Sequence, residues 1–286
     1  MNYIIKKQIK LLKRKKKSHK GDNGRALIIG GSEDYIGALA LAGLACLRSG
    51  CDLVTIAAPE KVAWAVNCLS SDLITKKVKG TYFKLSHANE IESMLNKFDC
   101  FLIGNGIGVK KETKSFIKKI NKTNKNKVID ADGVKAVGVN DLQNSIITPH
   151  IKELELFLKN SNRHYLIKKI KKKKKIEQKV ALLKDDLKEF LANNNIILLK
   201  GPVDVIISKN KVFYNKTGNP GMTKAGTGDV LAGLVLGFLA QSNNLLQSVI
   251  NGAYFNGLIG DILLRKRKGY TYLASDMVEE IKRVLK

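Results

Sequence analysis

The feature that most constrains the fold is a regular alternation of short apolar segments with longer segments of helical periodicity, which begins near Arg25. The first apolar run, 26–29, is flanked by glycines and predicts a buried strand, whereas Ile36–Arg48 is apolar on nearly every face and predicts a buried helix. Alternating strands and helices indicate an α/β fold with a mostly parallel central sheet and helices on both faces. Further strands are predicted at 53–57, Cys100–Ile103, 128–129, Ser145–Ile147, Ile196–Leu199 and, as a hairpin, 203–208 and 211–214; further helices are predicted at 61–69, 88–97, Lys111–Asn121, 152–158, 230–241, 246–264 and 274–285.

The polar and glycine-rich segments of the chain follow the predicted strands. In open α/β sheets, ligands bind beyond the carboxyl ends of the strands. We therefore expect the site to be built from the loops at 30–32, 104–108, 130–133, 148–150 and 200–201.

A glycine-rich segment at 217–233 reads T-G-N-P-G-M-T-K-A-G-T-G-D-V-L-A-G and runs directly into an apolar segment. Glycine lets the backbone approach a ligand closely, and the apolar run predicts a buried helix that begins near 227–229. The free N–H groups of a helix N-terminus bind phosphate. Asp229 stands at this junction, where it could act as a base for a hydroxyl beside the phosphate or simply cap the helix.

Two common nucleotide-binding motifs are only partly matched. The glycines of 104–108 are spaced G-x-G-x-G, whereas a dinucleotide-binding site has G-x-G-x-x-G. Gly221 and Gly226 match the first half of a P-loop, but Thr227 follows where that motif has lysine. What remains is a glycine-built anion site without an obligatory lysine.

Four more side chains at strand ends are candidates with two interpretations each. Lys200 could reach a nucleotide phosphate or belong to a strand-end turn. His150 could contact the substrate or have a structural role. Asp130 and Asp132 could bind Mg²⁺ through water or cap the turn that follows.

The chain is strongly basic, with 51 Lys+Arg against 25 Asp+Glu and a net charge of +26. The two densest clusters, 13–17 and 168–175, are mostly lysine and have no interleaved aromatic residues. Like-charge blocks of this kind are typical of solvated tails and faces, so we expect no nucleic-acid partner. Segment 168–175 is predicted to be an exposed helix or loop.

The remaining composition favours a cytoplasmic protein of one large domain, 19–286, preceded by a basic arm or helix at 1–18. The cysteines lack C-x-x-C spacing and paired histidines, which indicates reduced core thiols and no metal site of that kind. The N-terminal segment lacks a signal sequence, and the longest apolar runs are too short to span a bilayer, so no membrane partner is expected.

Taken in order, the motifs resemble those of the ADP-dependent (S)-NAD(P)H-hydrate dehydratase family of the ribokinase-like superfamily. The matching segments are H-K-G-D-N-G at 19–24, I-I-G-G-S at 28–32, Y-I-G-A at 35–38, A-C-L-R-S-G at 45–50, G-N-G-I-G at 104–108, D-A-D-G at 130–133, T-P-H at 148–150 with Glu153, L-K-G at 199–201, G-N-P-G-M at 218–222, G-T-G-D at 226–229 and L-A-S-D at 273–276. The chain departs from the family in having Asn105 and Ile107 where G-P-G-L-G is usual, and Ala225 where a glycine is usual.

The resemblance implies a ribokinase-like fold and the repair of damaged nicotinamide cofactors, (6S)-NADHX and (6S)-NADPHX, back to NADH and NADPH. It implies ADP or ATP as co-substrate, with ADP favoured, and Mg²⁺ bridging the phosphates. Asp229 would be the catalytic base, and because a free aspartate has a pKa of about 3.9 we expect it to be ionised. The amides of Gly226, Thr227 and Gly228 would stabilise charge on the transferred phosphoryl group.

The resemblance also assigns the binding residues. The hydrate would be contacted by Ala38, Gly106, Gly108, His150 and Asp229. The nucleotide would be bound by Lys200, Gly201, Pro202, Val203, Asp204, Asn219, Pro220, Gly221, Met222, Thr223, Lys224, Ala225, Gly226, Thr227 and Gly228. It further implies a homo-oligomer, with a tetramer as one form, and a separate epimerase acting in the same pathway. Two alternatives stay open: a small-molecule kinase of the same fold, and a nucleic-acid-binding protein that uses its charge.

Overall fold

The apolar runs of the sequence form the strands of one central sheet. The computed structural model describes residues 1–267 and 269–285 of the chain. The strands are β1 (Arg25–Ile29), β2 (Leu53–Pro59), β3 (Ile74–Val78), β4 (Cys100–Ile103), β5 (Asn126–Ile129), β6 (Ser145–Ile147), β7 (Ile196–Leu199), β8 (Asp204–Ile207) and β9 (Val212–Asn215). Their order across the sheet is β3-β2-β1-β4-β5-β6-β7-β8-β9. All neighbours are parallel up to β7, after which β8 and β9 form an antiparallel hairpin, so the predicted fold class is confirmed.

The register of the sheet brings the loops after the strands to one edge. Ile103 at the end of β4 pairs with Ile29 of β1 on one side and with Ile129 of β5 on the other. Ile129 in turn pairs with Ile147 at the end of β6. Since these strands are parallel and end at the same level, the segments that follow them leave the sheet side by side.

Twelve helices in the described part of the chain cover the sheet. They are α1 (Ile36–Arg48), α2 (Glu60–Leu69), α3 (Ala88–Leu95), α4 (Lys111–Asn121), α5 (Asp132–Ala136), α6 (Ile151–Asn160), α7 (His164–Lys171), α8 (Ile176–Asp186), α9 (Lys188–Ala192), α10 (Thr227–Ser242), α11 (Leu245–Arg267) and α12 (Ala274–Val284). Alternate residues of β1 point to opposite faces: Ile29 belongs to the same buried cluster as Phe116 of α4, whereas Ile28 belongs to the cluster that contains Val235 of α10. Both faces of the sheet are therefore buried, which is why its central strands read as continuous apolar runs.

Helix α10 is apolar around its circumference because it is buried on two sides. Leu231 and Val235 pack on the sheet, whereas Val230 and Leu234 pack with Met277 of α12 in an outer layer. This central position holds the N-terminus of α10, and the glycine-rich segment before it, at the carboxyl edge of the sheet.

Some elements were not predicted from the sequence. Strand β3 is an edge strand in which only Val78 is buried, so it lacks the apolar pattern of the other strands. Helices α5, α8 and α9 were also missed. Segment 168–175, predicted to be exposed, covers the end of α7, where Ile170 is buried, and the exposed residues after that helix. The expectation that every cysteine lies in the core was wrong for Cys68, which is exposed on α2.

The basic segment 1–18 packs as an arm against the residues that follow it, with one 3₁₀ turn at Lys6–Gln8 and an isolated β-bridge from Tyr3 to Tyr214. The arm extends the sheet beside β9, where the amide of Ile4 donates to the carbonyl of Tyr214 at 2.8 Å. Farther along the arm, Arg14 forms an ion pair with Asp52 at 2.7 Å.

Cavities of about 170 and 250 Å³ lie beside Arg14, and none of the residues predicted to bind substrate or nucleotide lines them. Lys268 and Lys286, which fall in the predicted domain 19–286, lie outside the described residues.

No helix among the described residues combines the length and the apolar character needed to cross a lipid bilayer.

Candidate active site

The predicted glycine-built bend forms the N-terminus of α10. Gly226 caps the helix with φ 91°, a left-handed conformation that favours glycine. A Cβ at this position would lie 2.6 Å from Leu41 Cδ1 and 2.8 Å from Ala274 Cβ, so the site has no room for a side chain. The bend is accessible, since Ala225 is exposed and Gly228 is partly exposed. The helix start near 227–229 is therefore confirmed, and its first amides have no acceptors within the helix itself.

Asp229 lies in the first turn of α10 and is joined to the loops after β4 and β5. Asn105, which follows β4, donates through Nδ2 to Asp229 Oδ1 at 2.6 Å and to Asp130 Oδ2 at 3.0 Å. Asp130 follows β5, is buried, and also accepts a hydrogen bond from Thr148 Oγ1 at 2.6 Å. One amide group thus bridges two carboxylates that are far apart in sequence.

Lys200 at the end of β7 provides the positive charge of this cluster. Its Nζ lies 2.9 Å from Asp130 Oδ1 and 3.7 Å from Glu153 Oε2. A Cβ built on Gly228 would lie 3.8 Å from the same Nζ, so the ammonium group stands beside the first turn of α10. Burial opposes the charge of Lys200, but Asp130 and Glu153 outweigh it and raise the pKa of this lysine. Lys200 is therefore a fixed cation next to the predicted anion site.

The protonation of Asp229 differs from the expectation. Burial raises the pKa of this carboxyl to about 7; the hydrogen bond from Asn105 and the charge of Lys200 lower it, and the charge of Asp130 raises it. The expectation of an ionised carboxyl rested on the pKa of a free aspartate, which leaves out this burial. A carboxylate with a pKa near the working pH is better matched to accepting a proton from a hydroxyl.

His150 caps α6 and lies directly beside Lys200. Its Nδ1 accepts the amides of Lys152 at 3.1 Å and Glu153 at 3.2 Å, while its own amide donates to Glu153 Oε2 at 3.0 Å. A backbone bridge joins His150 to Lys200. The ring is about half exposed, so its structural role as a cap leaves one face open towards solvent. The predicted contact of His150 with substrate stays a prediction.

The other residues predicted to face the hydrate lie near this cluster. Gly106 has φ 63°, and a Cβ there would lie 2.6 Å from Tyr35 Cβ, which places the turn after β4 against the start of α1 and thus close to Ala38. Gly108 has φ 81°, and its amide donates to Asp132 Oδ2 at 2.9 Å. Asp132 therefore orders the turn after β4, and its Oδ1 pairs with Lys135 Nζ at 2.8 Å. The two predicted roles of Asp132, in binding Mg²⁺ or in capping the turn that follows it, stay predictions.

Asn215 links the first segment predicted to bind nucleotide, 200–204, to Thr217, two residues before the second segment, 219–228. Asn215 donates to Asp204 Oδ2 at 3.3 Å and accepts from Thr217 Oγ1 at 2.8 Å. Asp204 also accepts the amide of Gly201 at 3.1 Å, which fixes the turn of 200–204. Burial raises the pKa of Asp204 to about 6, against the effects of these hydrogen bonds and of Lys200.

The loop at 218–225 is ordered by side chains that sequence reasoning did not single out. Asn219 accepts from Tyr272 OH at 2.7 Å and donates to Asp261 Oδ1 at 3.1 Å. Lys224 donates to the carbonyls of Tyr270 and Tyr272, so its ammonium is already engaged within the protein. Pro202, Val203, Pro220, Met222 and Thr223 lie in the same two segments, and their roles in binding stay predictions.

Sequence reasoning missed Asn105 as part of the site because it treated this residue only as a departure from a family motif, and it named Glu153 in a matching motif without giving it a role. The signal that could have found Asn105 is its place directly after a strand, between two glycines, where a side chain must enter the crevice at the sheet edge.

The comparison with known proteins agrees with this geometry. The sequence model of the NAD(P)H-hydrate dehydratase family matches residues 26–283. A bifunctional NAD(P)H-hydrate repair enzyme of Methanocaldococcus jannaschii is 39% identical over 280 residues, which are 96% of this chain and 51% of that protein. An ADP-dependent (S)-NAD(P)H-hydrate dehydratase of Cenarchaeum symbiosum is 33% identical, with 96% of this chain and 92% of that protein covered. The chain thus spans about half the length of the bifunctional relatives.

Solved structures show the same fold. A ribokinase-like superfamily protein of Enterococcus faecalis has a TM-score of 0.80 at 22% identity, with 99% of this chain and 95% of that chain covered. The ADP/ATP-dependent NAD(P)H-hydrate dehydratase of Bacillus subtilis has a TM-score of 0.76 at 23% identity, with 96% and 95% covered. A carboxylate, a lysine and a glycine-built helix N-terminus meet at the edge of the ribokinase-like sheet. Because the family model also matches nearly the whole length of the chain, the chain belongs to the NAD(P)H-hydrate dehydratase family.

Proposed function

We propose that the chain is a nucleotide-dependent dehydratase that returns (6S)-NADHX and (6S)-NADPHX to NADH and NADPH. The observation that carries this proposal is the position of Asp229: its carboxylate, Lys200 and the amides at the start of α10 meet at the accessible edge of the sheet. The relatives from Cenarchaeum symbiosum and Nitrosopumilus maritimus, 33% and 30% identical, are named for this activity with ADP. Their names support ADP as the co-substrate.

In the proposed reaction, Asp229 accepts the proton of the ring hydroxyl as its oxygen attacks the β-phosphorus of ADP. A bond forms between that oxygen and phosphorus, and AMP leaves with the electron pair of the bond that breaks. Phosphate then leaves the ring with the electrons of the carbon–oxygen bond, and loss of a proton from the neighbouring carbon restores the double bond. We propose that the amides of 226–228 and the ammonium of Lys200, which stands beside the first turn of α10, stabilise the charge on the phosphoryl group.

Mg²⁺ belongs to the proposal as a companion of the nucleotide. The described residues contain no group of three His, Cys, Asp or Glu side chains that could hold a metal ion. Mg²⁺ is commonly bound through one or two carboxylates together with substrate phosphates. We therefore propose that the phosphates supply most of its ligands and that it neutralises part of their charge.

Assembly and pathway complete the proposal. We expect a homo-oligomer, cytoplasmic location, and an epimerase that supplies the (6S) form of the hydrate. Sedimentation of the purified chain tests the first of these expectations.

The activity is tested by adding the purified protein to each hydrate with ADP or ATP and Mg²⁺. We expect the absorbance of reduced nicotinamide to return, with AMP and inorganic phosphate formed in equal amounts when ADP is used. A stable phosphorylated product without reduced nicotinamide would instead identify a kinase. Steeply salt-dependent binding to nucleic acid, without turnover, would support the alternative based on charge.

A further inference from the structure

Asn105 is held in place by its backbone as well as by its side chain. The residue is fully buried, and its carbonyl accepts the amide of Gly31 at 2.9 Å. A Cβ on Gly30 would lie only 2.4 Å from the same carbonyl oxygen, so the loops after β1 and β4 are in direct contact here. The backbone contacts therefore hold Asn105 in a fixed position, from which its carboxamide lies between the strands and α10.

Both N–H groups of this carboxamide donate hydrogen bonds to acidic side chains. A primary amide has two N–H donors, and here they are directed to Asp229 at 2.6 Å and to Asp130 at 3.0 Å. Among the described residues, this amide is the group that donates hydrogen bonds to both carboxylates. Lys200 compensates the charge on the side of Asp130, since its Nζ contacts Asp130 Oδ1.

The oxygen of the carboxamide shows why its nitrogen faces the two acids. Within the described residues, Asn105 Oδ1 is buried and has no hydrogen-bond partner. Turning the amide over would place this oxygen against the carboxylates of Asp130 and Asp229, which repel it when ionised. The observed orientation thus presents both donors of the amide to the two acids and keeps its oxygen away from them.

We propose that Asn105 is a positioning residue that orients Asp229 and favours its ionised form, so that the carboxylate can accept a proton from the substrate. The inference rests on the proposed function, because it takes Asp229 as the base. Proline, which is usual at this position in the family that the sequence resembles, has no donor to offer. The dependence on an amide is therefore expected to be a property of this chain and of relatives that share Asn105.

The electrostatics agree with this role. Burial raises the pKa of Asp229, and the hydrogen bond from Asn105 is the largest of the influences that lower it again. The other charged groups that face Asp229 are Asp130, which raises its pKa, and Lys200, which lowers it. Removing the amide leaves burial and Asp130 opposed by Lys200 alone.

The test is a titration of Asp229 in the ligand-free protein, followed by NMR of ¹³C-labelled aspartate carboxyl groups. Asp229→Asn removes one signal and so assigns it. We expect Asn105→Ala to raise the pKa of Asp229 by about one pH unit or more, because a hydrogen bond to an ionised acceptor is lost. The matched control is Asn121→Ala, since Asn121 is also fully buried with an unpaired Oδ1 but lies in α4. It should leave the titration of Asp229 unchanged.

An unchanged Asp229 titration in Asn105→Ala would overturn the inference. Should that variant not fold, Asn105→Asp keeps the shape of the side chain and replaces the donor with a third carboxyl group. It should raise the pKa of Asp229 further, and an unchanged value would again contradict the inference. For the folded variant, the rising part of the pH profile of kcat/KM should move to higher pH by the same amount.

The two proposals can fail separately. If the wild type does not act on the hydrates, the proposed function fails, while the titration still decides whether Asn105 controls Asp229. If the hydrates are converted but the titration does not move, the proposed function stands and the role of Asn105 is wrong.

Discussion

Lys127 allows a quantitative test of the electrostatics inside this fold. It is fully buried at the start of β5, and its Nζ donates to the backbone carbonyls of Asn121 at 3.1 Å, Thr123 at 2.7 Å and Gln143 at 3.0 Å. These carbonyls belong to the last residue of α4, to the turn after that helix and to the segment that leads into β6. Burial lowers the pKa of Lys127 from 10.5 to about 8.

The sign of the effect follows from where the proton is held. Between pH 8 and 10.5 the unfolded chain keeps the proton on this lysine and the folded protein loses it, so the unfolded state binds more protons and stability rises with pH. With folded and unfolded pKa values of about 8 and about 10.5, raising the pH from about 7 to about 9.5 adds about 2 kcal/mol to the free energy of unfolding.

The assay compares wild type and Lys127→Met by urea unfolding across this pH range. The difference between the two free energies of unfolding should change by about 2 kcal/mol in favour of wild type as the pH rises, whichever protein is more stable at the start. Lys125→Met is the control, because Lys125 is partly exposed and donates to one carbonyl, that of Phe98. Parallel curves for wild type and Lys127→Met would refute the reasoning about burial.

Three further predictions concern the active site. Gly226→Ala should weaken nucleotide binding and lower the free energy of unfolding by about 2 kcal/mol or more, because the left-handed φ and the close contacts leave no room for a Cβ. Calorimetry of nucleotide binding and of thermal unfolding checks both effects. Lys200→Met should lower the free energy of unfolding in urea by about 3 kcal/mol, because it leaves Asp130 and Glu153 buried without their cation. A decrease below about 1 kcal/mol would contradict this expectation. For wild type, kcat/KM should rise about tenfold between pH 6 and pH 8 as Asp229 ionises with a pKa of about 7, and a flat profile would contradict that pKa.

The sequence predicted the buried framework well. Ile36–Arg48 and Lys111–Asn121 were predicted with the bounds that the structure has, as were Cys100–Ile103 and Ile196–Leu199. Such elements are specified locally, because burial on one or both sides fixes their apolar pattern. Strand β3 was missed because it lies at the edge of the sheet, with solvent instead of a strand on one side. Its sequence, I-T-K-K-V, therefore lacks that pattern.

The candidate site could be predicted only in part. The bend before α10 and the candidate base Asp229 follow from local sequence, because glycines and an apolar run define a helix start. The contact of Asn105 with Asp229 joins residues 124 positions apart, and the altered pKa of Asp229 depends on burial by other elements. Neither can be read from a motif, because both arise only when the loops after β4 and β5 meet α10.

The most direct measurement of the central claim is single-turnover conversion of a hydrate by wild type and by Asp229→Asn, with nucleotide affinity measured on the same samples. Asparagine keeps the size of the side chain and removes the base. The proposed reaction predicts that conversion slows by about 10²-fold or more while nucleotide affinity stays within a few-fold of wild type. Conversion at the wild-type rate by Asp229→Asn would contradict the assignment of Asp229 as the group that takes the hydroxyl proton.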